Sequence, residues 1–304
     1  MVINIICPIY NGENYIINLN NSLIDQEIDE EVNITYILTE SNDNSERVLN
    51  DINAQYEKIK KNEFSHSLTR EKFIYKLGGD ISVLITQDIV IKDRVWLKNL
   101  IKPIKNNECV ATFSRQISKY NNIEKYTREY NYKAESRIVS KRDIEKLGLY
   151  TFFFSDASSA IKVEIYKELN GYDKKNLIIS EDMYIARKII DNGYKIGYCS
   201  DSIIYHSHKF KMKDLMKRYF DTGVFFAKNI EFKKYSGNSN GIKMVKYIFK
   251  RCVEERNIKC LITIIPDFGS RFIGSNLGKN YEKLNKRIVK KLTLNKSYWN
   301  EQEV

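Results

Sequence analysis

Three groups of side chains in this sequence have the types and spacing to do chemistry. Asp88 ends the run Leu84-Ile85-Thr86-Gln87-Asp88, and two of the chain's three histidines fall in Tyr205-His206-Ser207-His208. Carboxylate and phosphate oxygens suit Mg²⁺ or Mn²⁺, and added imidazole tilts the choice toward Mn²⁺. Asp88 also reads as a turn aspartate that caps the next segment, and a lone histidine is more often structural than a ligand. The third group, Ser180-Glu181-Asp182, offers a general base at a rigid helix end. It reads equally as a plain helix start, with serine as the cap and two acids complementing the dipole.

Elements must bring these groups together. Val2–Cys7 is an apolar, β-branched run ended by Pro8, with a loop at Tyr10-Asn11-Gly12 and helical spacing from Tyr15 to Leu23. Asn33–Leu38 is a second strand, stopped by the polar cluster 39–45. Strand, helix, strand is a βαβ unit and implies a parallel sheet. Further along come a helix over Phe64–Leu77 stopped by Gly78-Gly79, a strand Ile81–Ile85, a helix Trp96–Ile104 and a strand Cys109–Phe113. Residues 114–150 read as helices and loops crossing one sheet edge. Thr151–Ser155 is strongly β-like, Ser180 opens a helix closed by Gly193, and Tyr194–Ser200 is a last strand. In an open parallel sheet, ligands bind outside the carboxyl ends of the strands. Tyr10-Asn11, Glu40 to Asp43 and Thr86-Gln87-Asp88 all fall at such ends, and that coincidence makes them a site.

Neither GxGxxG after the first strand nor GxxxxGK[ST] anywhere is present, so a dinucleotide fold and a P-loop enzyme lack support. A bound metal is the alternative way to hold a pyrophosphate.

The chain has 304 residues, 42% of them apolar, and a net charge of +11 that is unevenly placed. Residues 1–208 carry 28 Lys/Arg against 30 Asp/Glu, a net of −2, whereas residues 209–304 carry 22 against 9, a net of +13. The boundary is placed near His208: a domain over 1–208 and a basic helical region over 209–304. That basic region fits an anionic partner, membrane or nucleic acid, or is simply a solvated lysine-rich surface. No run approaches the ~18 apolar residues of a spanning helix, and no leader precedes the first strand, so a cytoplasmic protein is expected. The five scattered cysteines show no CxxC spacing and are expected reduced and buried.

In order along the chain, IICPIYNGE, SHSLTRE (65–71), LITQD (84–88), FFFSDASSAIK, GYD (171–173), SEDM (180–183) and YHSH (205–208) resemble family-2 glycosyltransferases of the GT-A fold. More narrowly they look like the bacterial rhamnosyltransferase branch that builds O-antigen and other cell-wall polysaccharides; RYFDTGVFFAK and the late LGK match that branch too. The resemblance implies an α/β fold, a mostly parallel Rossmann-like sheet flanked by helices, with a basic helical C-terminal extension. It implies that Pro8, Tyr10 and Asn11 hold the base and ribose, that Glu40 accepts from the base, that Gln87 helps bind the donor and that Arg70 faces the diphosphate. Asp88 matches the last acid of the family's DxD motif, Thr86 standing where the first would be, so metal binding falls to Asp88, the phosphates and His206 or His208. Asp182 matches the catalytic base, with Glu181 beside it orienting the acceptor or supporting the base.

The implied reaction is inverting transfer from a dTDP- or UDP-sugar, with L-rhamnose as the expected sugar, aided by Mn²⁺ or Mg²⁺. The implied acceptor is a saccharide or a polyprenyl-diphosphate-linked saccharide at the inner membrane leaflet. The basic helices would be a peripheral anchor on the anionic surface, with Leu261–Ile265 near lipid or a homodimer partner. Two other readings compete. A sugar-nucleotide nucleotidyltransferase shares the metal and the sheet but needs a glycine- and lysine-rich phosphate loop after the first strand. A nucleic-acid-binding protein accounts for the basic third but not for polar clusters at successive strand ends, so no nucleic acid is expected.

Overall fold

The computed structural model of the chain describes residues 1–235 and 240–300. Among these residues nine strands form one sheet: β1 (Val2–Ile9), β2 (Glu31–Thr39), β3 (Tyr56–Ile59), β4 (Ile81–Ile85), β5 (Val90–Ile91), β6 (Ala111–Ile117), β7 (Arg137–Val139), β8 (Ser158–Lys162) and β9 (Ile196–Tyr205). Their order is β3-β2-β1-β4-β8-β6-β9-β5, with β7 also paired to β9. The βαβ reading holds for the first half, where β3, β2, β1 and β4 are all parallel. At β8 the direction reverses: it runs against both β4 and β6. β6 and β9 are parallel to each other and therefore run with β4.

This alternation fixes what meets at the ligand edge. The carboxyl ends of β1, β2, β4, β6 and β9 share one edge, and there β8 presents its amino end, with Ser158 opposite Ile85. Pro8, expected to end the first strand, lies inside β1 opposite Ile37. Pairing of β1 with β4 has already stopped at Ile6, so proline's missing N–H costs no ladder bond on that side.

Two expectations fail. Thr151–Ser155 is not a strand: Gly148–Phe152 is a 3₁₀ turn, and the strand starts at Ser158. The phenylalanines are drawn into the core instead. Phe152 packs edge-on against Phe232 and Tyr235, and Phe154 against Phe113, so tertiary packing overrides β-propensity. Ser180 does not cap its helix. Its backbone is left-handed at φ 62°, and its side chain makes no cap hydrogen bond; a cap serine needs extended backbone to set its oxygen over the first-turn amides.

The 3₁₀ turn Lys141–Asp143 and strand β7 within 114–150, and the short strands β3 and β5, are too brief to leave a periodic signal. All five cysteines are buried and unpaired, as expected.

Residues from both sides of position 208 share one core: Phe220, Val224, Phe225, Phe232, Val289 and Tyr298 cluster with Phe113, Phe152 and Tyr184. Within the C-terminal region, the helices Met212–Lys228 and Ile258–Lys279 touch backbone to backbone. A Cβ on Gly278 would lie 2.0 Å from the carbonyl oxygen of Phe220, and one on Gly274 would lie 2.1 Å from that of Met216. This close approach accounts for the late LGK.

Candidate active site

A cleft of about 510 Å³ opens at the ligand edge of the sheet. At one end, the antiparallel pairing of β5 with β9 sets Val90 opposite Tyr205 and Ile91 opposite Ile204. Continued two residues, that register brings Asp88 across from Ser207, between His206 and His208. The Asp88 carboxylate lies 3.4 Å from Nε2 of His206 and 3.6 Å from Nδ1 of His208. All three ligand atoms fall within 4.8 Å of one another. Two imidazoles and a carboxylate converging in this way fit a divalent cation.

The protonation pattern suits that role. Burial alone would raise the Asp88 carboxyl, but the hydrogen bond and charge of His206, then His208, hold it well below the usual carboxylate range. Burial, with His206 second, lowers the His208 ring to about 4, leaving it a neutral donor at pH 7. Gln116, on β6, orients His206. Its amide nitrogen donates to Ser155 Oγ at 2.7 Å and its oxygen accepts from Arg128. The oxygen therefore also faces Nδ1 of His206, 3.0 Å away, as an acceptor. A proton therefore sits on Nδ1, and Nε2 is the ring nitrogen that faces Asp88.

Further along the cleft, the helix His66–Leu77 delivers Arg70. Its N-cap is Ser65, whose side chain accepts from the Leu68 amide. Ser67 donates to the Lys175 carbonyl at 2.7 Å and accepts from the Leu177 amide, which pins the helix to the segment after Asp173. Glu71 accepts from the Tyr172 amide at 2.8 Å, and the Tyr172 hydroxyl donates to Asp156 at 3.1 Å. Gly171, at φ 46°, has no room for a Cβ, which would meet Glu71 and Tyr166. SHSLTRE and GYD are thus two halves of one scaffold.

The scaffold buries Arg70 against Glu181 and Asp156. Arg70 lines the cleft, yet its charge is matched by these two carboxylates rather than left free for a diphosphate. Burial would raise Glu181, but Arg70 and then His66 draw it below the usual range. Asp182 is the contrast. It lines the cleft, and among the described residues its carboxylate accepts only from the neighbouring Met183 amide at 2.7 Å and has no ion-pair partner. Burial, then Glu181, then Asp156 raise it well above the usual range. A cleft carboxylate without a counter-ion and with raised basicity is what a general base requires.

The expected nucleotide residues lie on the neighbouring surface. Gln87 clamps the Tyr10 backbone from both sides, accepting from its amide at 2.8 Å and donating to its carbonyl at 3.0 Å. Asn11 accepts from the Asn42 amide, and Glu40 accepts from the Lys61 amide at 3.2 Å. Pro8 has no side-chain donor or acceptor with which to join this network. The Lys61 ammonium donates to the Tyr10 hydroxyl at 2.6 Å. The structure therefore joins Asp88, His206 and His208 into one cluster and Arg70, Glu181 and Asp182 into another. Tyr10, Asn11, Glu40 and Gln87 form an adjoining wall.

Sequence reasoning gave no role to Gln116, Arg128, Asp156, Arg218 or Asp221, all in the cleft lining. Asp156 lay in view within FFFSDASSAIK, but the reading of that stretch as a strand hid its place at the amino end of β8. Arg218 has no carboxylate partner among the described residues. Burial raises Asp221 to about 6. It accepts from the Thr293 hydroxyl at 2.6 Å and the Leu294 amide at 3.0 Å, which brings Leu294 and Asn295 to the cleft wall.

The fold and the cleft at its ligand edge are those of a glycosyltransferase of the GT-A class, and the sequence comparisons give the family. The model of glycosyl transferase family 2 matches residues 4–169, and the chain belongs to that family. Two relatives are 30% identical. The O-antigen chain rhamnosyltransferase RfbN of Salmonella typhimurium aligns over 99% of this chain and 96% of its own length. The O-antigen chain rhamnosyltransferase WbaN of Salmonella anatum aligns over 80% of this chain and 78% of its own. Among solved structures, the mannosyltransferase PcManGT from Pyrobaculum calidifontis, in complex with GDP-Man and Mn²⁺, shares the fold. Its TM-score is 0.54 at 14% identity, covering 98% of this chain and 84% of that one. The activity is therefore that of a glycosyltransferase.

Proposed function

We propose that this glycosyltransferase moves L-rhamnose from dTDP-rhamnose, with inversion, to a saccharide carried on polyprenyl diphosphate during bacterial cell-surface polysaccharide synthesis. The sugar and the polysaccharide rest on the relatives, both of which are named as O-antigen chain rhamnosyltransferases; the dTDP donor and the polyprenyl diphosphate carrier are what the motif resemblance implies. The observation that carries the chemistry is Asp182: it lines the same cleft as Asp88, without a counter-ion and with raised basicity.

The acceptor hydroxyl oxygen forms a bond to the anomeric carbon as the bond from that carbon to the diphosphate oxygen breaks. Asp182 takes the hydroxyl proton, and the nucleoside diphosphate leaves. Arg70, through Glu181 and Asp156, fixes the wall beside the base. Arg218 is the cation in the cleft available to the leaving diphosphate. Tyr10, Asn11, Glu40 and Gln87 receive the nucleoside. Asp88, His206 and His208 would hold Mn²⁺, favoured over Mg²⁺ by the two imidazoles, and the ion would supply charge neutralisation at the diphosphate. Residues 1–208 thus provide the metal ligands, the nucleoside wall and the base, while residues 209–304 add Arg218 toward the diphosphate and Asp221, Leu294 and Asn295 on the acceptor side of the cleft.

The test is a panel of dTDP-rhamnose, UDP-glucose, UDP-galactose and UDP-N-acetylglucosamine. Each is scored for thermal stabilisation and slow hydrolysis with Mn²⁺, with Mg²⁺ and with chelator. Selective stabilisation by dTDP-rhamnose with Mn²⁺ is expected. Equal response to all four donors would discard the rhamnose assignment, and indifference to chelator would discard the metal.

A further inference from the structure

The helices Asn240–Glu254 and Ile258–Lys279 form a pair whose inner residues are accounted for. Ile248, Cys252, Cys260 and Ile264 close a small core with Ile123 and Tyr126. On the second helix the face opposite this core is apolar and uncovered, and on the first an uncovered apolar stripe lies beside the buried face. Ile242, Phe249 and Val253 make a stripe on the first, at spacings of seven and four residues. On the second the stripe is Ile258, Ile262, Ile265 and Phe272, with Ile262 71%, Ile265 83% and Phe272 71% exposed. Of the expected patch Leu261–Ile265, only Ile262 and Ile265 point out; Ile264 is buried. Exposed apolar stripes of this extent mark an interaction surface.

Charge selects the occupant. Lys246 falls within the first stripe, and Lys243 and Lys259 lie beside the two stripes. The acids of these helices are already engaged: Glu254 with Lys250 and Arg251, Glu255 with Lys125 and Arg251, Asp267 with Arg271. Among the described residues no carboxylate remains for Lys243, Lys246, Arg256 or Lys259. A second copy pressed against this face would set cation against cation. An anionic lipid surface would take the apolar stripe into its headgroup boundary and match the lysines. No helix of the described residues is long and apolar enough to cross a membrane.

Position gives the contact a purpose. The buried side of the second helix supplies Thr263, Asp267 and Arg271 to a hollow that also contains His208. His208 lines the catalytic cleft as well.

We propose that the outer face of these two helices docks reversibly on an anionic bilayer surface, holding the mouth of the cleft beside the membrane in which a lipid-linked acceptor resides. The inference deepens the proposed function by naming the surface at which the acceptor is met; the docking itself depends on neither donor nor acceptor.

Co-sedimentation of the full chain with vesicles tests it. Binding to phosphatidylcholine vesicles containing phosphatidylglycerol is expected, with little binding to phosphatidylcholine alone and a fall on adding NaCl. The variant I262S/I265S/F272S should bind about ten-fold more weakly or less, with unchanged circular dichroism and unchanged thermal response to the donor. The single variant Ile265→Ser should move in the same direction, and K243Q/K246Q/K259Q should lose the preference for phosphatidylglycerol. Wild-type protein that ignores both vesicles, or serine variants that bind as wild type does, would overturn the proposal. So would a solution dimer that the serine variants dissociate, since a second copy would then cover the face. Because binding is read without turnover, its failure leaves the glycosyltransferase reading intact.

Discussion

At one end of the cleft Asp88 lies between two imidazoles and is held ionised; at the other Asp182 faces Glu181 and Asp156 and is drawn toward its neutral form. Both side chains are largely withdrawn from water, so burial pushes both in the same direction. The neighbours make the difference: imidazole nitrogens outweigh burial in one case, and like charges add to it in the other. Two carboxylates of similar exposure thereby acquire opposite work, one as a standing ligand and one as a proton acceptor.

Substitutions at the two ends should separate those roles. Asp182→Asn removes the proton acceptor but keeps its shape, so transfer should fall by ~10²–10⁴-fold while donor binding persists. Turnover at the wild-type rate would end the assignment. Asp88→Ala should abolish the Mn²⁺-dependent part of donor binding, read by calorimetry with and without the ion, and an unchanged isotherm would remove Asp88 from the metal site. Gln116→Leu leaves all three ligands in place but frees the His206 ring to take either tautomer. Mn²⁺ affinity should drop by ~10–100-fold, and nitrogen chemical shifts of His206 should show the Nε2–H form appearing.

The smallest expected effect is a displacement along the pH axis. Asp182 must be ionised to act, so the rate should fall as pH drops through its raised pKa, giving an acid limb above the ordinary carboxylate range. In Glu181→Gln the like charge is gone and Arg70 is less fully neutralised. Both changes favour ionised Asp182, and the limb should move to lower pH. A limb that stays in place would mean that Glu181 does not set the basicity of the base.

How far the site could be read beforehand varied with how local its signals are. Asp88, His206 and His208 announced themselves by position, Asp88 just after the strand Ile81–Ile85 and the histidines shortly after the expected last strand, which the structure extends from Ser200 to Tyr205. Glu181 and Asp182 were visible as a helix start, though the left-handed backbone of Ser180 was not, since nothing in the residue type requires it. Arg70 was visible within SHSLTRE, but its partners were not. Its pairing with Glu181 and Asp156 spans more than eighty residues and depends on β8 running against its neighbours.

The aromatic run Thr151–Ser155 shows why that strand was misplaced. Phenylalanine favours strands and buried cores alike, and only the surrounding rings decide which one it joins. The C-terminal helices show the complementary case. Their amphipathic spacing and excess of lysine are plain in the sequence, whereas the outward direction of Ile262, Ile265 and Phe272 depends on which face the neighbouring helices already cover.

By itself, then, the sequence determined the βαβ start, the polar clusters at successive strand ends, the metal-ligating types and the basic final third, because each comes from residue type and short-range periodicity. Tertiary structure alone decided that Asp182 rather than Glu181 lacks a counter-ion, that Gln116 orients His206, and that Arg218 and Asp221 reach the cleft from beyond residue 208. Those outcomes depend on long-range strand direction, on burial and on which charges end up side by side, and no local pattern of residues records them.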